Sequence, residues 1–317
     1  MNIQQFNYVL ALAEERHFER AADKCYISQS TLSTMISRFE EELGIQVFDR
    51  RKKPLEITTE GVYIIEQLKK VNKEIDSLYE ITQMLKGEVK GKLTIAVLPT
   101  IAPFLLPLFL HQFAVSFPRL IIEVRELTTA EILRLIKSRD LDIGIVSIPL
   151  KDPEIVEHHL YNEPFVYYDA DRKNKKAITV RQLDLGNLCL LEEGHCMRNQ
   201  ILEFCDLFDQ ELHTKLNFRY KAGSIDSLLR FVKTNKASTL LPYLAAADFD
   251  KTEMKNVSAF AAPVPYRSVG LVVHPHFVKH NVLDLLRQEI LKSVKPLLPR
   301  TTTLNEPLMP LPQKHAL

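Results

Sequence analysis

The chain has 317 residues, of which 46% are apolar and 26% charged, so it has ordinary globular composition and a length that suits two or three domains. Its formal net charge is only +1, which excludes bulk electrostatic attraction to nucleic acid, anionic membrane or acidic substrate and leaves any such targeting to local patches. Four cysteines are too few for a disulfide framework in a chain this long.

Residues 1–13 are followed at once by Glu14, Glu15 and Arg16 without a small-residue cleavage pattern, so a cytoplasmic protein is expected. The longest apolar run, "IAPFLLPLFLHQFAV", is broken by Pro103, Pro107 and His111 and is shorter than the roughly 20 residues of a membrane span. No membrane partner is expected. His158 and His159 alternate along a strand, and His274, His276 and His280 cluster near a loop. Neither group pairs with cysteine at zinc-like spacing, so neither a metal nor a cofactor is expected.

In chain order, Phe6, Val9, Leu10 and Ala13 have the spacing of an amphipathic helix, and Phe18, Ala21 and Ala22 begin a second. After a tight connection at 25–27, Ser28 is placed to cap a third helix with Leu32, Ile36 and Phe39 inward and Gly44 as its stop. Three short helices so joined predict a helix-turn-helix, and "IQVFDRRKKPLEIT" predicts a hairpin wing with a basic tip at Arg50 to Lys53. Residues 1–61 carry eight Lys or Arg against ten Asp or Glu, so the domain is not basic overall; half of its cations gather in the wing. Gln29 can read a base edge, Ser28, Ser30, Thr31 and Ser33 can hold phosphates, and Arg38, Arg50, Arg51 and Lys52 are the candidate cationic contacts. The competing reading is a small helical interaction module with a solvated charge run.

From Thr59 to about Lys86, Ile64, Leu68, Val71, Ile75, Leu78, Thr82 and Leu85 alternate in steps of four and three, a heptad seam that favours pairing with a second copy. Beyond Gly87, strands and helices alternate: "KLTIAV", "LIIEVREL" and "LDIGIVSI" read as strands separated by helices, and a second run follows with "LCLLEE", a helix from about Cys196 to Phe208, "LNFRYK", "SIDSLLRFVKTN" and "STLLP". This predicts parallel sheets with crossover helices in two α/β lobes, 88–161 with 267–299 and 162–266, and a ligand site in the cleft. Residues 300–317 have no usable period and are expected to be a disordered tail.

The segment "HFERAADKCYISQSTLSTMISRFEEELGIQVFDR" resembles the winged helix-turn-helix signature of the LysR-type transcriptional regulators, and the order of long helix and two lobes is similar to that family over nearly the whole chain. Within it, "MNIQQFNYVLALAEERHFERAAD", "PTIAPFLLP" and "EEGHCMRNQ" with a cysteine nine residues on resemble the OxyR group of hydrogen-peroxide sensors. Two positions depart from the family pattern: Ser30 stands where proline is common, and Ser37 with Arg38 where two adjacent basic residues are frequent.

The resemblance implies an α/β protein with an N-terminal winged helix-turn-helix (1–61), a dimerisation helix (62–87) and a two-lobed regulatory domain like the periplasmic binding proteins (88–299). It implies a homodimer or homotetramer on double-stranded promoter DNA, contact with RNA polymerase, hydrogen peroxide as the signal and a thiol-reducing system to reset it. Cys196 would be the peroxidatic sensor thiol and Cys205 the resolving thiol, with Thr100, Thr129, His195 and Arg267 completing the peroxide pocket. Nine helical residues separate two Cα atoms by about 13.5 Å and half a turn, whereas a disulfide needs Cα atoms within roughly 7 Å. A bridge between the two sulfurs would therefore have to unwind the helix. A peroxide-reactive thiol also needs its anion favoured, for which the helix N-terminus, His195 and Arg198 are at hand.

The alternatives are a regulator with structural cysteines that responds to a small inducer in the cleft, and a cysteine-dependent enzyme with His195 as base. The last is disfavoured because chain neighbours point apart and no acid is placed to orient His195. Cys205, flanked by Phe204 and Leu207, also reads as a buried thiol, and Cys25 and Cys189 read as packing.

Overall fold

A computed structural model describes residues 1–86, 88–171, 177–192, 196–204, 222–299 and Leu308. The chain divides into two compact units, Met1–Gly87 and Glu88–Leu317.

In the first unit, helices α1 (Ile3–Glu15), α2 (Phe18–Lys24) and α3 (Gln29–Leu43) enclose a core of Val9, Leu12, Ala21, Leu32, Ile36 and Phe39. Their ends follow local chemistry. Asn2 and Gln5 form a reciprocal capping box on α1, and Ser28 Oγ accepts the Thr31 N–H at the start of α3. Gly44 closes α3 in the left-handed conformation (φ 65°) that glycine adopts without strain. The wing is a two-residue pairing of β1 (Phe48–Asp49) with β2 (Glu56–Ile57). Helix α4 spans Thr59–Leu85. Its first turns contribute Ile65 and Leu68 to the same core.

In the second unit, strands β3 (Gly91–Val97), β4 (Leu120–Glu126) and β5 (Ile143–Ile148) are parallel, linked by helices α5 (Ala102–Ser116) and α6 (Thr129–Lys137). Strand β6 (Val156–Asp169) runs for 14 residues and pairs antiparallel with β9 (Tyr266–Val273), then with β7 (Ser238–Pro242) and β8 (Val257–Ala259). One sheet path, β4-β3-β5-β9-β6-β7, thus serves two cores. The first holds residues 93–161 and 269–294 with Cys196 and Leu244, under α5, α6 and α10 (His280–Val294); the second holds residues 165–260 with Leu308, under α7 (Cys196–Phe204), α8 (Ile225–Thr234) and α9 (Tyr243–Ala247).

The expectation of parallel pairing holds among β3, β4 and β5, whereas β9 pairs antiparallel with β5 and β6, and β7 and β8 pair antiparallel with β6, because β6 leaves for the second lobe and β9 returns from it. "LCLLEE" forms isolated parallel bridges, Leu188 to Ser238 and Leu191 to Ala222, rather than a strand. "LNFRYK" lies outside the described residues. Within the segment expected to be a loose tail, Leu308 is a fixed point: it is buried in the second core, its N–H bonds Tyr266 O at 3.1 Å and its carbonyl accepts from Gln200 Nε2 at 2.8 Å. Among the described residues no helix is long and apolar enough to cross a membrane.

Candidate functional site

The central register brings polar side chains to one face of an otherwise apolar sheet. Glu163 on β6 lies directly opposite Arg267 on β9, Tyr161 opposite Val269, and Ser147 on β5 also opposite Val269. Cross-strand partners share a face and alternate residues return to it, so Ser147, Tyr161, Glu163 and Arg267 point to the same side. Thr100, beyond the end of β3, and Thr129, at the first turn of α6, join them; the six are buried. The reciprocal capping box of Thr128 and Glu131 fixes the start of α6 and with it Thr129.

Cys196 is the first residue of α7, 4% exposed and unbridged. Its Sγ stands 4.0 Å from Ser147 Oγ, the outer limit for a thiol contact. Burial pushes the Cys196 thiol up, against the downward pull of the Arg267 charge, the Ser147 and Thr129 hydroxyls and the Met197 N–H. Arg198, expected to assist the anion, instead donates Nη1 to the Leu191 carbonyl at 3.0 Å. Among the described residues, the cation acting on Cys196 is Arg267.

Arg267 is 1% exposed and held by Glu163 and Thr100. Nε and Nη2 reach Glu163 Oε2 at 2.9 and 2.8 Å, Nη1 reaches Thr100 Oγ1 at 3.2 Å and Nη2 the Thr100 carbonyl at 3.1 Å. Thr129 Oγ1 lies close enough to lower the Cys196 thiol, yet it makes no hydrogen bond of good geometry, and Tyr161 Oη is likewise buried without a partner. An open, buried hydroxyl beside a thiol can bind a small polar molecule.

The structure thus brings Thr100, Thr129, Arg267 and Cys196 into one cluster; His195 and Cys205 lie outside the described residues. The sequence reading missed Ser147, Tyr161 and Glu163. Ser147 could have been found as the hydroxyl interrupting "IGIVSI", and Glu163 as the charge between Tyr161 and Phe165 on one face of β6. Cys189 is half buried, with its N–H on Ser238 O and its carbonyl accepting from Thr239 Oγ1, and Cys25 is partly buried at the end of α2. Among the described residues no group of three or more His, Cys, Asp or Glu side chains could hold a metal ion.

On the first unit, Gln29, Ser30, Thr31, Thr34 and Arg38 are exposed along α3 and Ser33 is half buried. Ser28 Oγ is tied to Ser30 and Thr31 hydroxyls at 2.9 and 2.8 Å, so it serves chiefly as the cap. Arg50, one of the expected DNA contacts, is held by Glu40 Oε2 (2.8 Å) and Ser37 Oγ (3.0 Å) and lies over the Phe18 ring. Arg51 and Lys52 extend from the wing tip with only the ion pairs to Asp49 and Glu56. Tyr26, 95% exposed in the turn before α3, is a further contact candidate. Along α4, Leu68 is buried in its own unit, Ile64, Val71 and Ile75 are half-buried, and Leu78 and Leu85 are exposed together with Tyr79.

Residues 3–62 match the family model for the bacterial regulatory helix-turn-helix protein, lysR family, and residues 86–295 match that for the LysR substrate binding domain. The chain belongs to the LysR family. This LysR-family chain is 33% identical over 278 residues to the DNA-binding transcriptional dual regulator OxyR of Escherichia coli K12, covering 87% of this chain and 90% of the relative. It is 29% identical over 301 residues to a hydrogen peroxide-inducible genes activator of Haemophilus influenzae, covering 94% and 99%. Among solved structures it is similar to a full-length OxyR variant from Pseudomonas aeruginosa, with TM-score 0.69, 28% identity and coverage of 92% of this chain and 98% of that one.

Proposed function

We propose that this LysR-family regulator is a cytoplasmic transcription factor that reads hydrogen peroxide through Cys196. The observation carrying the reading is the unpartnered Thr129 hydroxyl beside a buried thiol, within a cluster that also holds Thr100 and Arg267. The names of the relatives above support it. Peroxide bound there would meet the Cys196 thiolate: sulfur attacks one oxygen, the O–O bond breaks, and the other oxygen leaves as hydroxide to be protonated to water. The cation and hydroxyls favour that developing negative charge. Cys205 then attacks the sulfenic sulfur, giving a disulfide and a second water, and a cellular dithiol restores both thiols.

Because Cys196 heads α7, bonding to a residue nine positions on requires that helix to unwind, and the change of shape would alter the grip of α3 and the wing on promoter DNA and the contact with RNA polymerase. The exposed end of α4, with Leu78 and Leu85, is the proposed pairing surface for a homodimer; assembly into a homotetramer would use other faces. The protein acts as a regulator, not an enzyme.

Stoichiometric peroxide followed by mass-spectrometric disulfide mapping is expected to give a link between Cys196 and Cys205, with a changed footprint on the protein's own upstream DNA. Absence of that link sinks the switch. A promoter response that survives Cys196→Ser points instead to a small inducer in the interlobe cleft.

A further inference from the structure

Glu163 has no part in the peroxide chemistry just described, yet it is the most completely buried charged residue of the site. Its Oε2 accepts from Arg267 Nε at 2.9 Å and lies 2.8 Å from Nη2, and its Oε1 accepts the Leu244 N–H at 2.9 Å, at the start of α9. With that edge of the guanidinium engaged, the remaining donors are aimed at Thr100 Oγ1 and O. A buried ion pair adds little net stability over an apolar pair of the same volume, so packing alone gives no reason for these two charges. A bare guanidinium at this place would instead act on the nearby sulfur at low effective dielectric, undiminished.

We propose that Glu163 is a positioning residue of the thiol site: it fixes the Arg267 guanidinium on Thr100 and offsets its charge, so that only part of the cation's field reaches the Cys196 sulfur. The inference rests on the reading of Cys196 as the reactive thiol. The groups facing that sulfur are Arg267 from β9, Ser147 from β5, Thr129 from α6 and the Met197 N–H of α7; Glu163 and Tyr161 face the guanidinium from β6, and His195 lies outside the described residues. Burial and the Glu163 charge hold the Tyr161 phenol well above its ordinary value, so Tyr161 does not supply the compensating charge. Glu163 acts as a brake: the thiol stays neutral, and spared from adventitious electrophiles, until a molecule fits the hydroxyls.

The test is the pH dependence of Cys196 alkylation by iodoacetamide in the reduced full-length protein, quantified on the Cys196 peptide by mass spectrometry. Glu163→Gln is expected to shift the midpoint downward by about one pH unit, a roughly tenfold faster alkylation at pH 7. Glu163→Asp, which keeps the charge, should move it far less. An unchanged or raised midpoint in folded Glu163→Gln overturns the proposal. If that variant fails to fold, Glu163→Asp is decisive: its shorter side chain weakens the hold on the guanidinium, so the midpoint should fall measurably though by less than about one pH unit, and an unchanged or raised midpoint overturns the proposal. The readout needs no peroxide, so a missing disulfide between Cys196 and Cys205 and a failure of the Glu163 role are told apart.

Discussion

Each unit holds a Glu–Arg pair, and the two differ sharply in exposure. In the regulatory unit, Glu163 and Arg267 are 0% and 1% exposed, and the arginine is held by Glu163 and Thr100. In the helix-turn-helix unit, Glu40 is nearly buried while Arg50 is 38% exposed; Glu40 Oε1 takes the N–H groups of Val47 and Phe48 at 2.8 and 3.0 Å, and Oε2 takes Arg50. The inner pair sets a field. The outer pair sets a shape, since the carboxylate ties the wing's first strand to α3 and leaves the cation partly open to solvent. The same two residue types therefore shape reactivity where water is excluded and backbone geometry where it is not.

The largest effect expected from breaking this contrast is at the inner pair. Arg267→Met leaves a buried carboxylate uncompensated and should cost about 3–5 kcal/mol in urea unfolding followed by circular dichroism, most of it recovered when Glu163→Gln is added. A loss under about 1 kcal/mol would mean that water reaches the pair. At the outer pair, Glu40→Ala orphans two backbone donors and should cost about 3 kcal/mol, whereas Arg50→Ala should cost under about 1 kcal/mol because its charge is half solvated. Equal losses would erase the distinction drawn here.

Next in size is pH. Burial raises the Cys196 thiol, so its thiolate fraction, and with it the rate of oxidation by peroxide, should climb about tenfold per pH unit and keep climbing past about 8.5, where an exposed thiol levels off. Stopped-flow rates that plateau near neutrality would contradict a thiol raised by burial. Ser28→Ala removes the α3 cap and should cost about 1 kcal/mol in thermal unfolding of the first unit. The smallest stability change, under about 0.5 kcal/mol, belongs to Arg51→Ala at the exposed wing tip; the same variant should flatten the slope of log affinity against log salt on promoter DNA by about one. An unaltered slope would remove Arg51 from the DNA contacts.

Much of this architecture was legible in local chemistry. Ser28, Gly44 and the apolar spacing of Leu32, Ile36 and Phe39 specify α3 outright, because caps and helical period are short-range signals. The parallel strands of the first lobe followed from alternation with helices. The antiparallel pairing of β6 with β9 did not, because partners more than a hundred residues apart leave no local trace. The site was legible to the same limit. Cys196, Thr100, Thr129 and Arg267 came from motif resemblance, while Glu163 and Ser147 join them only through cross-strand register. The seam on α4 shows the converse: one heptad pattern served two destinations, Leu68 turning into its own unit's core while Leu78 and Leu85 stay exposed.

Strand β6 carries Tyr161 in one core and Phe165 in the other, four residues apart on one continuous extended segment. Melting either lobe strips hydrogen bonds from a ribbon the other lobe also needs. Calorimetry of the regulatory half should accordingly record a single endotherm, its two lobes losing order together rather than in sequence.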